Sequence, residues 1–350
     1  MLGARFDPRS NSLSLMRLVL ASLVAVHHAT AIGFGVEWGI GPAPVEGMSR
    51  LGDFAVDAFF VLSGFLVTMS YVRLDSPVRY LWHRALRILP GFGTCLVVTA
   101  VVFAPAIAVL EGRPALSVFP DAWRFVTANA FLVMKEWGVA GLPAGTHTPG
   151  VVNGALWTLF YEFTCYALVA ALGVAGLLRR PRAVAALLTV VWLAQAASLL
   201  GSLDVPMPLL RRFLLLFLLG SVGYLFRDRL PITRPGLLGA LVAFLGAGFL
   251  MPDYRVVGGP AFAYLLLGVM VLPSVWEPRA DLSYGIYIWH WPVETLLVLT
   301  GVAARGAVPL VLGALALTVG AALASWTVVE EPALRLKSWT RVTDRQERYR

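Results

Sequence analysis

The chain has 350 residues, of which 58% are hydrophobic and only 14% are charged, and its mean hydropathy is +0.76. A composition this apolar excludes an ordinary soluble domain and predicts an integral membrane protein. The net charge of +8 does not indicate nucleic acid, because the arginines lie in short loops between apolar runs, where they set membrane topology. The expected partner of the chain as a whole is therefore a lipid bilayer.

Ten apolar runs come close to the roughly 20 residues that a helix needs to cross a bilayer. They lie at 12–34, 54–72, 86–110, 155–178, 183–201, 209–226, 235–251, 259–276, 282–301 and 307–329. The sequence thus predicts an all-α, polytopic transmembrane helix bundle with about ten spans and both termini in the cytoplasm. One transmembrane domain over 1–334 and a short basic cytoplasmic tail over 335–350 complete the predicted organisation.

Arginines between these runs predict the orientation. With the N-terminus inside, the cytoplasmic loops contain Arg73, Arg79, Arg84, Arg87, Arg179, Arg180, Arg182, Arg227, Arg229 and Arg234. This distribution follows the positive-inside rule and indicates a multi-pass protein of the plasma (inner) membrane. Arg211 and Arg212 are the exceptions, since they fall on the outer side.

Two stretches have a second interpretation. The segment 111–154 contains the apolar sequence "FVTANAFLVM", which we interpret as an interfacial or re-entrant piece of an external loop, because one more crossing would move the Arg179 cluster outside. The N-terminus resembles a signal peptide, with basic Arg5 and Arg9 and a possible cleavage site at 29–31. Two histidines interrupt its apolar run, so we favour a retained first helix.

The first predicted helix carries those two adjacent histidines. Arg17 and His28 are eleven residues apart, which at about 100° per residue places them within roughly 20° of one face and about 16 Å apart along the axis. His27 lies about 80° off that line and is predicted to contact a neighbouring helix. Because a titratable ring inside a membrane segment indicates a functional site, His28, in the outer half of the membrane, is the catalytic candidate.

Asp57 lies near the outer end of the second predicted helix, at a depth comparable to that of His28. A carboxylate there could orient the imidazole and stabilise its protonated form, which makes a histidine a good general base. The alternative is an interfacial aspartate that caps a helix. Ser63 and Gly64, further along the same helix, indicate a close-packing notch between helices.

The third apolar run is preceded by "WHRALRILP", in which Arg84 and Arg87 share a helical face at the predicted cytoplasmic edge. A pair of guanidinium groups in that position suits phosphate binding. The alternative is ordinary anchoring by the positive-inside rule.

Two later helices carry polar stripes. In the fourth, Thr158, Glu162 and Tyr166 recur at every fourth residue, and the buried carboxylate must face the interior of the bundle. The stripe of the ninth helix consists of Ser283, Tyr287, His290 and Glu294. Pro292 removes one backbone hydrogen bond there and is expected to kink the helix. Together with His28, the two stripes predict a polar cavity.

These residues belong to motifs that are spread in order from residue 17 to residue 332: the Arg17 to His28 spacing, "VDAFFVLSGFLVT", "RALRILP", "LWTLFYE", "LSYGIYIWHWP" and "VVEEP". The set resembles the acyltransferase-3 family of integral-membrane acyltransferases, of the O-acetyltransferase type. The resemblance implies a ten-helix bundle that moves an acyl group, usually acetyl, from cytoplasmic acyl-coenzyme A to a hydroxyl of a carbohydrate or related acceptor. Acetyl-coenzyme A is then the donor substrate, and no metal is expected.

The resemblance also implies residue roles. Among the catalytic candidates, His28 matches the family histidine and Glu162 the carboxylate of the tryptophan-to-glutamate motif, whereas Asp57 is a candidate because of its charge and its depth near His28. The candidates for donor binding are Arg17, Arg84, Arg87, Tyr287 and His290. Two departures stand out, "VHH" where the family more often has a single histidine and Glu331 where an arginine is common.

Three alternatives stay open. His28 acts as a general base on the acceptor hydroxyl, or it forms a covalent acyl-histidine. At the level of class, the rival is a proton-coupled secondary transporter of a small solute, because such proteins also place polar groups in broken helices near the membrane midplane. No repeated halves are visible in the sequence, which disfavours the transporter.

Overall fold

The computed structural model describes residues 1–8, 10–39, 50–203, 205–274, 276 and 280–338. In these ranges about 75% of the chain is helical and no strand is present, so the predicted all-α class is confirmed. Arg9, the middle of the loop after the first helix, and the predicted tail from residue 339 onward lie outside the described residues.

The helices follow one another along the chain with few long connections. The first seven are α1 (Leu2–Arg5), α2 (Leu13–Phe34), α3 (Leu51–Leu74), α4 (Pro77–Val98), α5 (Ala104–Leu110), α6 (Phe119–Asn129) and α7 (Thr158–Val174). The next seven are α8 (Pro181–Leu199), α9 (Pro208–Leu225), α10 (Arg234–Leu250), α11 (Tyr254–Met270), α12 (Ser283–Leu299), α13 (Ala307–Ser325) and α14 (Glu331–Arg335). Five-residue π-helical turns join α4 to α5 and α13 to α14.

Within the described residues, six helical segments are long and apolar enough to cross a membrane. They are Leu13–Phe34, Leu51–Leu74, Pro77–Leu110, Pro181–Leu199, Pro208–Leu225 and Ala307–Ser338. The helices α7, α10 and α11 are apolar but have only 17 residues each, as does α12. Every predicted apolar run therefore contains a helix, and six of the helical segments meet the length and composition of a membrane crossing, while the count of about ten spans stays a prediction.

Two helix starts differ from the sequence prediction for identifiable reasons. α11 begins at Tyr254 rather than near residue 259, because the Asp253 carboxylate accepts a hydrogen bond of 3.0 Å from the Arg255 backbone N–H and caps the helix. α4 begins at Pro77 rather than near residue 86, because its first turns are amphipathic and a hydropathy run omits them. Arg84 consequently lies inside α4, not before it.

The segment 111–154 forms no further crossing. Its helix α6 has 11 residues and is about 16 Å long, roughly half of the hydrocarbon thickness. The rest is held by side chains that bind backbone groups. The Asn129 amide oxygen accepts from Lys135 N and Glu136 N at 2.8 and 3.1 Å, and Glu111 Oε1 accepts from two backbone N–H groups near residue 144.

The chain forms two compact units. The first unit comprises Met1–Leu20, Trp38–Leu81 and Tyr161–Pro278. In it α3 packs closely on α9, because a Cβ atom on Gly64 would overlap the Phe217 carbonyl oxygen and one on Gly220 would overlap the carbonyl oxygen of Val61. The predicted close-packing role of Gly64 is confirmed.

The second unit comprises Ala21–Glu37, Trp82–Phe160 and Arg279–Arg350. It contains most of α2 and α4 and all of α12 and α13, and these last two pack against each other through Gly285 and Ala322. Ala29 of α2 packs with Leu310 and Ala314 of α13 in a fully buried apolar cluster. This packing fixes the C-terminal half of α2, with its two histidines, beside α12 and α13.

Candidate active site

The second unit brings two histidines together. His28 Nδ1 of α2 lies 2.9 Å from His290 Nε2 of α12, and the two rings are nearly parallel, with 5° between their planes. His290 is completely buried, whereas His28 is partly exposed. His28 and His290, the histidine pair, are therefore in direct contact, with one ring partly exposed and the other completely buried.

The hydrogen bonds of the histidine pair fix where the protons lie when both rings are neutral. His290 Nδ1 is 3.1 Å from the Ile286 carbonyl oxygen, which can only accept, so Nδ1 carries the hydrogen. His290 Nε2 must then be an acceptor, and His28 Nδ1 donates to it. The remaining nitrogen, His28 Nε2, keeps its lone pair. The arrangement leaves one basic nitrogen on the accessible ring.

Aromatic rings surround His28. The ring of Trp291 lies 4.8 Å from it between centroids, and Trp291 Nε1 donates a hydrogen bond of 3.0 Å to the Val151 carbonyl oxygen. Gly154 permits this placement, because a Cβ there would lie 2.6 Å from the Trp291 ring. His27 is buried and meets the His28 ring edge-on at 5.3 Å. The sequence prediction missed Trp291, although it directly follows His290.

Pro292 exposes a backbone acceptor that two side chains satisfy. A proline at this position lacks the N–H that would bond to the Ile288 carbonyl oxygen one turn earlier. Asn153 Nδ2 donates to that oxygen at 3.0 Å, and the thiol of Cys95 does so at 3.3 Å. All of these groups are buried. The proline predicted the free carbonyl, but nothing in the sequence indicated that Asn153 would bind it.

The predicted polar stripes are present, and their members bond within each unit. In the second unit, the hydroxyls of Thr158 and Tyr287 share a short hydrogen bond, and the Tyr287 ring lies 6.1 Å from the ring of His290. In the first unit, the Tyr166 hydroxyl donates to Glu162 Oε1 one turn away on α7. Tyr287 thus lines the wall of the histidine pair, while Glu162 is paired with a residue of its own helix.

Asp57 is completely buried in the first unit and accepts three hydrogen bonds. Arg212 Nε donates to Oδ1 at 2.8 Å, Arg255 Nε donates to Oδ2 at 2.6 Å, and the Tyr254 hydroxyl donates to Oδ2 at 2.7 Å. Charge-assisted bonds of this kind are the strong ones in proteins. A role of Asp57 in orienting His28 stays a prediction, since the contacts described here are those with α9 and α11.

These contacts belong to a larger group of buried charges. Arg212 also binds Asp53, Arg255 also binds Asp253, and Gln195 connects Asp253 to Arg211. The arginine–aspartate network consists of Asp53, Asp57, Asp253, Arg211, Arg212 and Arg255. Three negative and three positive charges balance. Of the two arginines that depart from the positive-inside rule, Arg212 is therefore ion-paired in the interior, and Arg211 is linked to the same network through Gln195. Hydropathy cannot reveal either arrangement.

The predicted donor-binding arginines differ in their surroundings. Arg87 Nη2 lies 2.7 Å from Asp281 Oδ2 and its Nη1 lies 3.8 Å from Glu330 Oε2, and the guanidinium sits over the Tyr284 ring. Arg84 lies one turn earlier on α4. Both arginines act electrostatically on Lys337, which the sequence analysis placed only in a basic tail. Arg84, Arg87 and Lys337 thus form a cationic cluster in which Arg87 is already paired with carboxylates.

Two further predictions concern Arg17 and metal ions. Arg17 lies in α2, on the same continuous helix as His28. Among the described residues, no three His, Cys, Asp or Glu side chains are placed to hold a metal ion. Both cysteines are buried and free.

Residues 10–330 match the profile Acyl_transf_3, described as an acyltransferase domain. The chain is similar to the O-acetyl transferase of Shigella phage Sf6, with 29% identity over 83% of this chain and 87% of the phage protein. It is similar also to the exopolysaccharide production protein ExoZ of Rhizobium meliloti, with 28% identity over 84% of this chain and 93% of that protein. Nodulation protein 10 of Rhizobium leguminosarum is 27% identical over 81% and 82% of the two chains. No solved structure matches the chain.

Proposed function

The chain belongs to the acyltransferase-3 family, and from this premise we propose that it transfers an acyl group, in the first instance acetyl, from cytoplasmic acyl-coenzyme A to a hydroxyl of an acceptor at the outer face. The family resemblance of the motifs is confirmed by the match over residues 10–330. The names of the phage O-acetyl transferase and of the exopolysaccharide production protein support an O-acetyl transfer and a carbohydrate acceptor. A glycan or a glycolipid is the acceptor class that we propose.

The histidine pair is the observation that carries the proposed chemistry. His28 Nε2 takes the proton from the acceptor hydroxyl while that oxygen attacks the carbonyl carbon of the thioester. The carbon–sulfur bond then breaks, and the coenzyme thiolate leaves with the proton returned from His28. General-base catalysis of this kind contributes typically 10² to 10⁴ in rate. Since His28 Nδ1 donates to His290 and His290 Nδ1 to a backbone carbonyl, the pair holds the tautomer that this step requires.

This reaction gives His290 a different role from the one expected at first. The sequence analysis placed His290 among the donor-binding residues, whereas its hydrogen bonds support a role in orienting the base. Tyr287 adjoins the pair and keeps the proposed role in donor binding. For Asp57 and Glu162 a catalytic role stays a proposal, and the hydrogen bonds of both support an additional structural role.

Donor binding is proposed at the cationic cluster. Coenzyme A carries several phosphate charges and cannot enter hydrocarbon, so its phosphates should remain at the inner face near Arg84 and Lys337. Arg87, whose charge is partly neutralised by carboxylates, would still attract the phosphates. Arg17 of α2 is also proposed to bind the donor. The pantetheine arm would then extend toward His28. This route requires the predicted topology, in which the chain spans the inner membrane about ten times and both termini lie in the cytoplasm.

A labelled-donor assay tests this function. Membranes that contain the protein are incubated with radiolabelled acetyl-coenzyme A, and transfer of label to a glycan or lipid fraction is expected. Membranes with His28→Ala should leave the label on coenzyme A, while His27→Ala, the matched control on the same helix, should transfer it. Label that remains on coenzyme A for the unaltered protein, together with proton-driven solute uptake, would instead indicate the transporter.

Sidedness is tested in sealed right-side-out vesicles. Acyl-coenzyme A trapped in the lumen should support acylation of an external acceptor, whereas donor supplied only outside should not. Single cysteines introduced near Arg179 should react with an impermeant thiol reagent only after the vesicles are opened. Equal acylation with external donor contradicts transfer through the bundle, whatever the activity of His28.

A further inference from the structure

A groove in the first unit lies outside the histidine pair, the arginine–aspartate network and the cationic cluster. It has a volume of about 710 Å³ between the start of α8 and the end of α9. Its polar lining consists of Arg180, Arg182, Arg229 and Asp228, and its apolar lining includes Leu225 and Phe226. The four charged residues are exposed. Three positive charges against one negative charge give the lining of the groove a net positive charge.

The surface of α8 next to this groove is apolar and uncovered. Only 11% of the most apolar stretch of α8 is buried within the protein. Val190 is 64% exposed and Leu193 is 53% exposed. By the helical repeat, both lie within roughly 80° of the face that carries Arg182, and Leu193 is about 16 Å further along the axis. That distance is close to half of the hydrocarbon thickness of roughly 30 Å, the depth of one leaflet.

We propose that the groove binds the headgroup of an anionic phospholipid, with an acyl chain along the exposed face of α8. The arginines supply the charge that a lipid phosphate needs, and the exposed apolar face of α8 that begins beside Arg182 extends over the depth of one leaflet. A soluble phosphate compound would contact the arginines but not the exposed apolar face of α8. By the positive-inside rule these arginines face the cytoplasmic leaflet, whose anionic lipids attract basic segments near the membrane surface. This site is separate from the proposed acyl transfer.

Native mass spectrometry of the purified full-length chain measures this binding directly. Phosphatidylglycerol should bind more tightly than phosphatidylcholine with the same acyl chains. The combined variant Arg180→Gln/Arg182→Gln/Arg229→Gln should weaken phosphatidylglycerol binding by about fivefold for each arginine removed and leave phosphatidylcholine binding unchanged. The variant Asp228→Asn should strengthen phosphatidylglycerol binding by a similar factor, because it removes a negative charge from the groove.

A matched control has the same loss of charge elsewhere. Arg5, Arg73 and Arg305 are exposed and do not line the groove, so Arg5→Gln/Arg73→Gln/Arg305→Gln should bind phosphatidylglycerol as the unaltered chain does. Equal affinity in the groove variant, or equal losses in both combined variants, overturns the proposal. Displacement of the lipid by an equal concentration of glycerol 3-phosphate or of coenzyme A also overturns it, because the groove would then serve a soluble anion.

Discussion

The two units both place polar groups among apolar helices, and they do so in opposite ways. In the first unit, the arginine–aspartate network buries full charges and matches every negative charge with a positive one. In the second unit, the histidine pair is formed by two rings that can both be neutral, and one ring stays partly exposed. One arrangement satisfies the hydrogen bonds of its carboxylates, and the other leaves a lone pair on His28 Nε2.

The two groups of residues are therefore expected to have different roles, one in stability and the other in catalysis. Removing one partner of a buried ion pair leaves an uncompensated charge, so substitutions in the arginine–aspartate network should lower the free energy of unfolding. A group that abstracts a proton needs a basic nitrogen whose lone pair is not already bonded to a donor. Substitutions in the histidine pair should therefore lower the rate of acyl transfer. Substitutions in the first unit are therefore expected to change the free energy of unfolding, and substitutions at the histidine pair to change the rate of transfer.

The largest effect is expected at the accessible histidine. His28→Ala removes the proposed base and should lower the acyl-transfer rate by about 10² to 10⁴, with little change in the unfolding temperature because the ring is partly exposed. Initial rates with labelled acetyl-coenzyme A and thermal unfolding of the same preparations measure both quantities. His27→Ala is the control and should retain most activity. The reverse order of the two variants would contradict the assignment of the helix face.

Next in size is the loss of a charge from the arginine–aspartate network. Asp57→Ala leaves Arg212 and Arg255 without their shared carboxylate and should lower the free energy of unfolding by about 3 to 5 kcal/mol. Unfolding in a graded denaturant measures the change. Asp57→Asn, which keeps the size but not the charge, should be similarly unstable. A normally stable Asp57→Asn protein without transfer activity would instead favour Asp57 as a catalytic residue.

The enclosed histidine should have a smaller effect on rate. His290→Ala removes the acceptor for His28 Nδ1 and is expected to lower kcat by roughly 10², as misplacement of a reacting group does. His290→Gln offers an amide oxygen at a similar position and should recover part of kcat. A merely structural residue would not show this recovery, and a donor-binding residue would change KM for acyl-coenzyme A instead. The measurement is kcat and KM for the three proteins.

The smallest effects are expected in the cationic cluster. Arg84→Ala should weaken coenzyme A binding by about 1.5 to 3 kcal/mol if the guanidinium contacts phosphate. Arg87→Ala should weaken binding and also lower the unfolding temperature, because Asp281 and Glu330 lose their cation. Calorimetric titration with coenzyme A and thermal unfolding distinguish the two. Unchanged affinity in both variants would leave these arginines as topology signals only.

Prediction from sequence succeeded where the physical cause is local. The helix of Arg17 and His28, the close-packing notch at Gly64 and the carbonyl freed by Pro292 follow from helical periodicity, from the absence of a side chain and from the missing N–H. Prediction was incomplete at α11, where the start depends on a cap from Asp253 that a hydropathy run does not register. The count of about ten spans stays a prediction for a similar reason, since several apolar helices are shorter than a membrane crossing.

The sequence by itself determined the membrane environment, the all-α class and the family, and it predicted a catalytic role for His28, because composition, periodicity and motif spacing are properties of neighbouring residues. Only the tertiary structure decided which polar groups meet. Asp57 pairs with Arg212 across 155 positions of sequence, and His28 meets His290 across 262. Such contacts depend on how helices pack, and the type of one residue does not indicate which distant residue it contacts. The roles of charged residues inside a membrane bundle are therefore set by the fold.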